Sequence, residues 1–253
     1  MTSSPPASTP GRPPAGGPPA PPAPDLNEHG GGGQTSNTRL FMQLLAFTGC
    51  RDTAALAAYV EQHAQTGAVL YEDLNDPFGV GLLTFSTEPG DFVKHTRALV
   101  QQGPLADLTP RPEFTMIGRS YSLGYERDLD DTLIGRPQRH ALDPAMPWAV
   151  WYPLRRSGAF TRLPDDEQKA ILKEHGTIGF SFGGAGVARD IRLACHGLDA
   201  NDNDFVIGLM GPELTPLSQL VQTMRGTVQT STYLEKLGPF FVGRAVYQSP
   251  MDS

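Results

Sequence analysis

Cysteine is scarce, at 2 of 253 residues. Cys50 and Cys195 each close an apolar run, and neither has a second thiol or imidazole at metal-ligand spacing. A disulfide framework and a structural zinc site are thereby excluded, and the economical reading is two buried thiols in a cytoplasmic protein. Positive charge is also short: 20 Lys and Arg against 27 Asp and Glu leave a formal charge of −7, with the basic residues scattered. Nucleic acid as the main partner needs a basic surface to neutralise phosphates, and none is written here. No run of about 18 apolar residues is present, which excludes a membrane-spanning helix. No apolar segment follows a basic start, so no secretory signal is expected. A Gly-x-Ser-x-Gly elbow is missing, and "GGAG" (183–186) lacks the strand-to-helix setting of a phosphate loop.

Proline is the exception. Residues 1–37 hold 10 of the 24 prolines, no aromatic residue and one large aliphatic, Leu26. Such a segment buries too little apolar surface to offset its ordering entropy, so it is expected to be a disordered, partly polyproline tail.

From Leu40 onward hydrophobic periodicity takes over. "LFMQLLAFTGC" (40–50) has strand length, and Asp52 then caps a helix to about Gln65 with Leu56, Tyr59, Val60 and His63 on one face. "AVLYEDL" (68–74) and "VGLLTFS" (80–86) flank the turn "NDPFG", a second helix runs to about Gln102, and 112–126 supplies a long closing strand. The order strand–helix–strand–strand–helix–strand recurs after a connector, 127–147, expected to hold little regular structure. In the second pass "WAVWYPL" (148–154) is followed by a helix over 164–175, the strand pair 187–197 and 204–211, a helix over 214–225 and the strand "PFFVGRAVY" (239–247). This is the split βαβ unit written twice: an α+β chain with a ferredoxin-like half at 38–126 and another at 148–253. Two such units bury their bare sheet faces by merging into one barrel.

The helix "LPDDEQKAILKEHG" raises a chemical question. Pro164 suits a first turn, three acids favour its positive end, and Gly176 offers a left-handed cap, which places His175 at the last turn. The imidazole shares the face of Ile171 and Leu172. It either satisfies a backbone carbonyl or reaches a metal. No companion ligand stands at zinc spacing, whereas a haem supplies four nitrogens and asks for one axial imidazole.

"WYPLRRSGAFTRLPDDEQKAILKEHGTIG", "HGLDANDNDF" and "LVQTMRGTVQTSTYLEKLGPFFVG" together resemble the chlorite dismutase and coproheme decarboxylase family, in order, over roughly 148–247. The resemblance implies haem b or coproheme as cofactor, with His175 the axial ligand to iron and the first half free of haem. It implies Tyr152 as a radical site in the decarboxylases and Arg155 and Arg156 as propionate contacts. Phe160 stands where the family places an aromatic residue near the haem. It implies Arg189 as the distal catalytic arginine, with Arg192 in its place if the strand register differs. Where the family often holds a glutamate on the axial imidazole, "RGTVQTS" offers Val228 and Gln229. The function implied is a haem-dependent oxidoreductase that splits chlorite or peroxide. The alternatives are a peroxide-dependent coproheme decarboxylase, a haem carrier or sensor, and a haem-free binder in which His175 only ends its helix. By resemblance the chain is a homo-oligomer, a pentamer.

Overall fold

The computed structural model describes residues 22–251. A small ribbon of β1 (Glu28–His29) and β2 (Thr35–Ser36) comes first. The first half then runs β3 (Phe41–Thr48), α1 (Thr53–His63), β4 (Gly67–Asp73) and β5 (Val80–Ser86). A π-type turn, Phe92–Thr96, continues into α2 (Arg97–Val100), followed by α3 (Gly103–Ala106), β6 (Thr109–Pro110) and β7 (Met116–Ser120). After a π-type turn at Asp131–Gly135 and α4 (Arg136–Leu142), the second half opens with β8 (Trp148–Arg156), α5 (Gly158–Thr161) and α6 (Asp165–Gly184). It closes with β9 (Arg189–Ala194), β10 (Phe205–Gly211), α7 (Leu214–Arg225), α8 (Val228–Tyr233), β11 (Leu234–Leu237) and β12 (Phe241–Gln248). The doubled α+β order expected from periodicity is the order observed.

The halves share one antiparallel sheet, ordered β10-β9-β7-β3-β5-β4-β12-β8-β11, and β8 also pairs with β10. The circuit of pairings therefore closes on itself. Alternation along each strand assigns two faces. Ala149 and Trp151 of β8 join Met42, Leu44, Val69, Tyr71, Ile191 and Met210 in a core enclosed by strands from both halves. Val150, Tyr152 and Leu154 point the other way, with Leu209, toward Leu217 and Leu220 of α7. A third core packs the outer face of β3, β4 and β5 against α1, α2 and α3. Period-2 alternation in the strands and the spacing of Leu56 and Val60 in α1 produce this division. Asp52 caps α1 as expected, accepting from the Ala55 amide at 2.9 Å.

Four expectations need correction. The long closing strand is only Met116–Ser120, because a 3-10 turn at Pro112–Phe114 precedes it and 121–127 turns away to form a loop. The connector is not irregular: α4 buries Pro137, Ala141 and Leu142, and His140 Nδ1 lies 2.8 Å from the Asp190 carbonyl. The helix that carries His175 does not stop at Gly176. It continues to Gly184, with Ile171, His175, Ile178 and Phe182 extending one stripe, and the positive φ falls at Gly186 (72°). Finally, residues 1–21 of the expected tail lie outside the described residues, while 22–37 include the β1–β2 ribbon. That ribbon is tied down by Glu28, whose side chain is 13% exposed and accepts from Arg39 and Arg119, each at 2.9 Å. Ser122 adds an amide and a hydroxyl donor to the same carboxylate, both at 3.0 Å. Composition hid this, because a single half-buried, fully paired carboxylate outweighs the polar sequence around it.

Candidate functional site

α6 is unusual among the longer helices: none of its 20 residues is fully buried. Asp165, Asp166 and Glu167 favour its positive end, and Gln168 donates to the Leu163 carbonyl at 2.9 Å. The helix packs on α7, α8 and β9, with Ile178 and Phe182 touching the helix-side core. Its inner face stays half exposed above the sheet, and that is where His175 lies.

His175 Nδ1 sits 3.4 Å from the Thr227 hydroxyl, a long hydrogen bond. Nε2 has no protein partner among the described residues. Burial, helped by the positive charges of Arg156 and Arg192, holds the imidazole below its usual range, so it is neutral at pH 7. A neutral imidazole with one nitrogen engaged and the other free is the form in which histidine ligates a metal.

The sheet face below is set by register. Ile207 pairs with Arg192 on one side and with Tyr152 on the other, so these three side chains form one row across β9, β10 and β8. Phe240 extends the row, its ring stacked on Tyr152 at 4.7 Å. Burial, with the nearby Asp190 carboxylate, raises the Tyr152 phenol well above its usual value and keeps it protonated. Arg192 is held by Asp190 at 3.1 Å and remains 43% exposed, with donors to spare. At the end of β8, the Arg156 guanidinium lies between two phenyl rings, 4.6 Å from Phe160 and 4.8 Å from Phe205. Its Nε is buried and has no partner. Tyr121 leans on Phe205 at 5.6 Å and closes that corner.

The structure sets Arg156 against Phe160, holds His175 near enough to Arg156 and Arg192 to feel their charge, and puts Tyr152 on the sheet face that meets the helices, but it separates two residues expected with them. Arg189 belongs to the opposite parity of β9 from Arg192, and its Nη1 donates to the Gly183 carbonyl at 2.9 Å, closing the end of α6. One step of register exchanges Arg189 for Arg192 on the helix-side face of β9. Arg155 alternates away from Arg156 along β8 and is consumed by Asp202 (2.5 Å) and Glu235 (3.5 Å). Of the two residues in the glutamate's stead, Val228 is exposed and Gln229 is buried with an unpartnered Oε1; neither bonds the imidazole. Thr227 does, and sequence reading missed it. The available signal was a threonine directly after Gly226 and ahead of a short helix, an N-cap position. Tyr121 and Phe205 were missed as well.

Among the described residues no three of His, Cys, Asp and Glu converge as a metal-binding group. A pocket of about 320 Å³ is lined by Arg225, Thr230, Ser231, Leu234, Glu235, Lys236 and Leu237, without His175. A second, of about 270 Å³, lies on the first half near Cys50, Glu72 and Asp76. The donor set at the helix–sheet junction fits an iron porphyrin: one free imidazole nitrogen for the metal, and an orphaned guanidinium nitrogen for a carboxylate.

The chlorite dismutase family model matches residues 124–246, the stretch that carries every residue of the row and the helix above it. A heme-binding protein from Thermus thermophilus superimposes with a TM-score of 0.64 at 17% identity, over 82% of this chain and 91% of its own. Two mutant chlorite dismutases from Candidatus Nitrospira defluvii give TM-scores of 0.65 and 0.63 at 16% and 15% identity, each over 85% of this chain and 93% of their own. At these identities the structural likeness establishes the fold, a large antiparallel sheet with helices in the ferredoxin-like arrangement. Together with the family match over 124–246, just under half of the chain, it supports a chlorite dismutase-like family.

Proposed function

We propose that this chain binds an iron porphyrin through His175 Nε2 and consumes a small oxidant there, chlorite or peroxide, with Arg192 rather than Arg189 as the guanidinium that meets it. One observation carries the proposal: a neutral, half-buried imidazole with Nδ1 engaged and Nε2 free, near enough to Arg192 of the sheet row to feel its charge. The heme-binding function of the Thermus thermophilus protein of the same fold supports it. When bound, the porphyrin iron supplies the redox centre at which a Cl–O or O–O bond is split. The chain supplies the rest. Thr227 holds the imidazole, Arg192 offers N–H donors to an oxyanion, and Asp190 limits the rotamers of that guanidinium. Arg156, stiffened by Phe160 and Phe205, keeps its Nε for a carboxylate of the ligand.

A second reading, peroxide-dependent decarboxylation of coproheme, draws on Tyr152. That phenol is buried on the same row as Arg192, about 10 Å away across two strand spacings. Haem b or coproheme, cytoplasmic location and assembly of several copies belong to the same proposal.

Titration of the purified chain with haem b and with coproheme, followed by the Soret band, tests the reading. One equivalent of at least one porphyrin is expected to bind with a high-spin, histidine-ligated spectrum. Chlorite added on an oxygen electrode then releases dioxygen if the first reading holds. Peroxide added to the coproheme form yields carbon dioxide and haem b if the second does. Uptake with neither product leaves a carrier or sensor, and absence of any Soret shift ends the proposal.

A further inference from the structure

Thr227 is the N-cap of α8 and is 1% exposed. Its hydroxyl has one proton, and the Met224 carbonyl at 2.8 Å takes it in preference to the Thr230 hydroxyl at 3.3 Å, the longer of the two bonds. Toward the Thr230 amide and toward His175 Nδ1, both at 3.4 Å, the oxygen can only accept. The ring proton of neutral His175 is thereby directed to Nδ1, and the lone pair to Nε2. A second tie fixes the same junction: Glu174, the residue before His175, accepts from the Val228 amide at 3.1 Å. Two successive residues of α6 are thus fastened to two successive residues at the start of α8. Neither tie puts a carboxylate on the imidazole, since Glu174 is engaged with backbone and the next polar side chain, Gln229, makes no contact with the ring.

We infer that Thr227 is a positioning residue that selects the Nδ1–H tautomer of His175 and aims Nε2 at the sheet face. Because the acceptor is a neutral hydroxyl, the imidazole it holds is a weak electron donor to any metal on Nε2, weaker than an imidazole bonded to a carboxylate. The tautomer claim stands on the free chain. The donor-strength claim rests on the porphyrin binding proposed above.

Two readouts separate them. Nitrogen-15 NMR of histidine in the porphyrin-free full chain at pH 8, where the ring is neutral, is expected to show the Nδ1–H form for His175. Thr227→Ser should keep it, and Thr227→Val should move the ratio toward Nε2–H by about tenfold or more. Thr227→Asp keeps a competent N-cap while placing a carboxylate on the ring, so folding survives where the valine variant loses its cap. In the loaded chain that aspartate variant is expected to lower the reduction potential and raise the iron–histidine stretching frequency. Wild type in the Nε2–H form, or a tautomer ratio indifferent to Thr227→Val, overturns the inference. The Nδ1–H form without any Soret development overturns the porphyrin reading and leaves the tautomer claim standing.

Discussion

Replacing Arg192 with glutamine is expected to slow chlorite or peroxide consumption by about 10²- to 10³-fold, the loss seen when one preorganised donor to a developing oxyanion is removed. The same change at Arg189 is expected to leave turnover within about twofold and to cost about 1 kcal/mol of stability, the worth of a typical hydrogen bond. The contrast follows from strand geometry. Arg192 shares its face of β9 with Asp190 and pairs across to Ile207, in the row that runs on to Tyr152. Arg189 takes the other parity and donates to Gly183 at the end of α6. Steady-state oxygen release or peroxide loss measures the first effect, and urea unfolding of the same variants measures the second. A large loss of turnover at Arg189 with none at Arg192 would mean that the register of β9 is off by one residue.

The second large effect belongs to the enclosed core. Trp151→Ala is expected to destabilise the chain by about 3–5 kcal/mol. Trp151 is 1% exposed in the core shared by both halves, and its ring lies over Gly208, where a Cβ would come within 2.6 Å of it. That glycine is what lets an indole cross the strand. Trp151 Nε1 and the Tyr71 hydroxyl are both buried with no hydrogen-bond partner. Trp151→Phe, which keeps an aromatic ring and removes one orphaned donor, should therefore cost less, about 1–2 kcal/mol. Chemical denaturation of the two variants checks the order. A cost for alanine below that of phenylalanine would show that the enclosed cluster is not the core of the fold.

The doubled element order was legible because its signals are local. Strands such as "VGLLTFS" and helices such as Leu214–Arg225 carry their periods within a few residues. What escaped was decided by contacts distant in sequence or by glycine read too literally. Gly176 looked like a stop, yet Ile178 and Phe182 prolong the apolar stripe past it, and the positive φ waits until Gly186. Glu28, in a proline- and glycine-rich stretch, meets Arg119 and Ser122, both more than 90 residues away. Pro137 hid α4, since proline in a first turn is compatible with a helix that composition alone does not announce.

The site was legible as a set of residue identities and much less as geometry. Arg156 and Phe160 do meet, but choosing between Arg155 and Arg156, or between Arg189 and Arg192, needs the face of a strand. A slip of one residue reverses that face. Thr227 was invisible for a different reason. Its contact with His175 spans 52 residues and two helices, and its cap role could be read locally whereas its partner could not.

His175→Gly, titrated with the porphyrin that wild type binds and then supplied with free imidazole, tests the central claim most directly. The account predicts that the variant loses the histidine-ligated Soret spectrum, that affinity falls by about 100-fold or more, and that added imidazole restores the spectrum. A glycine variant that binds the same porphyrin with unchanged affinity and spectrum would contradict it.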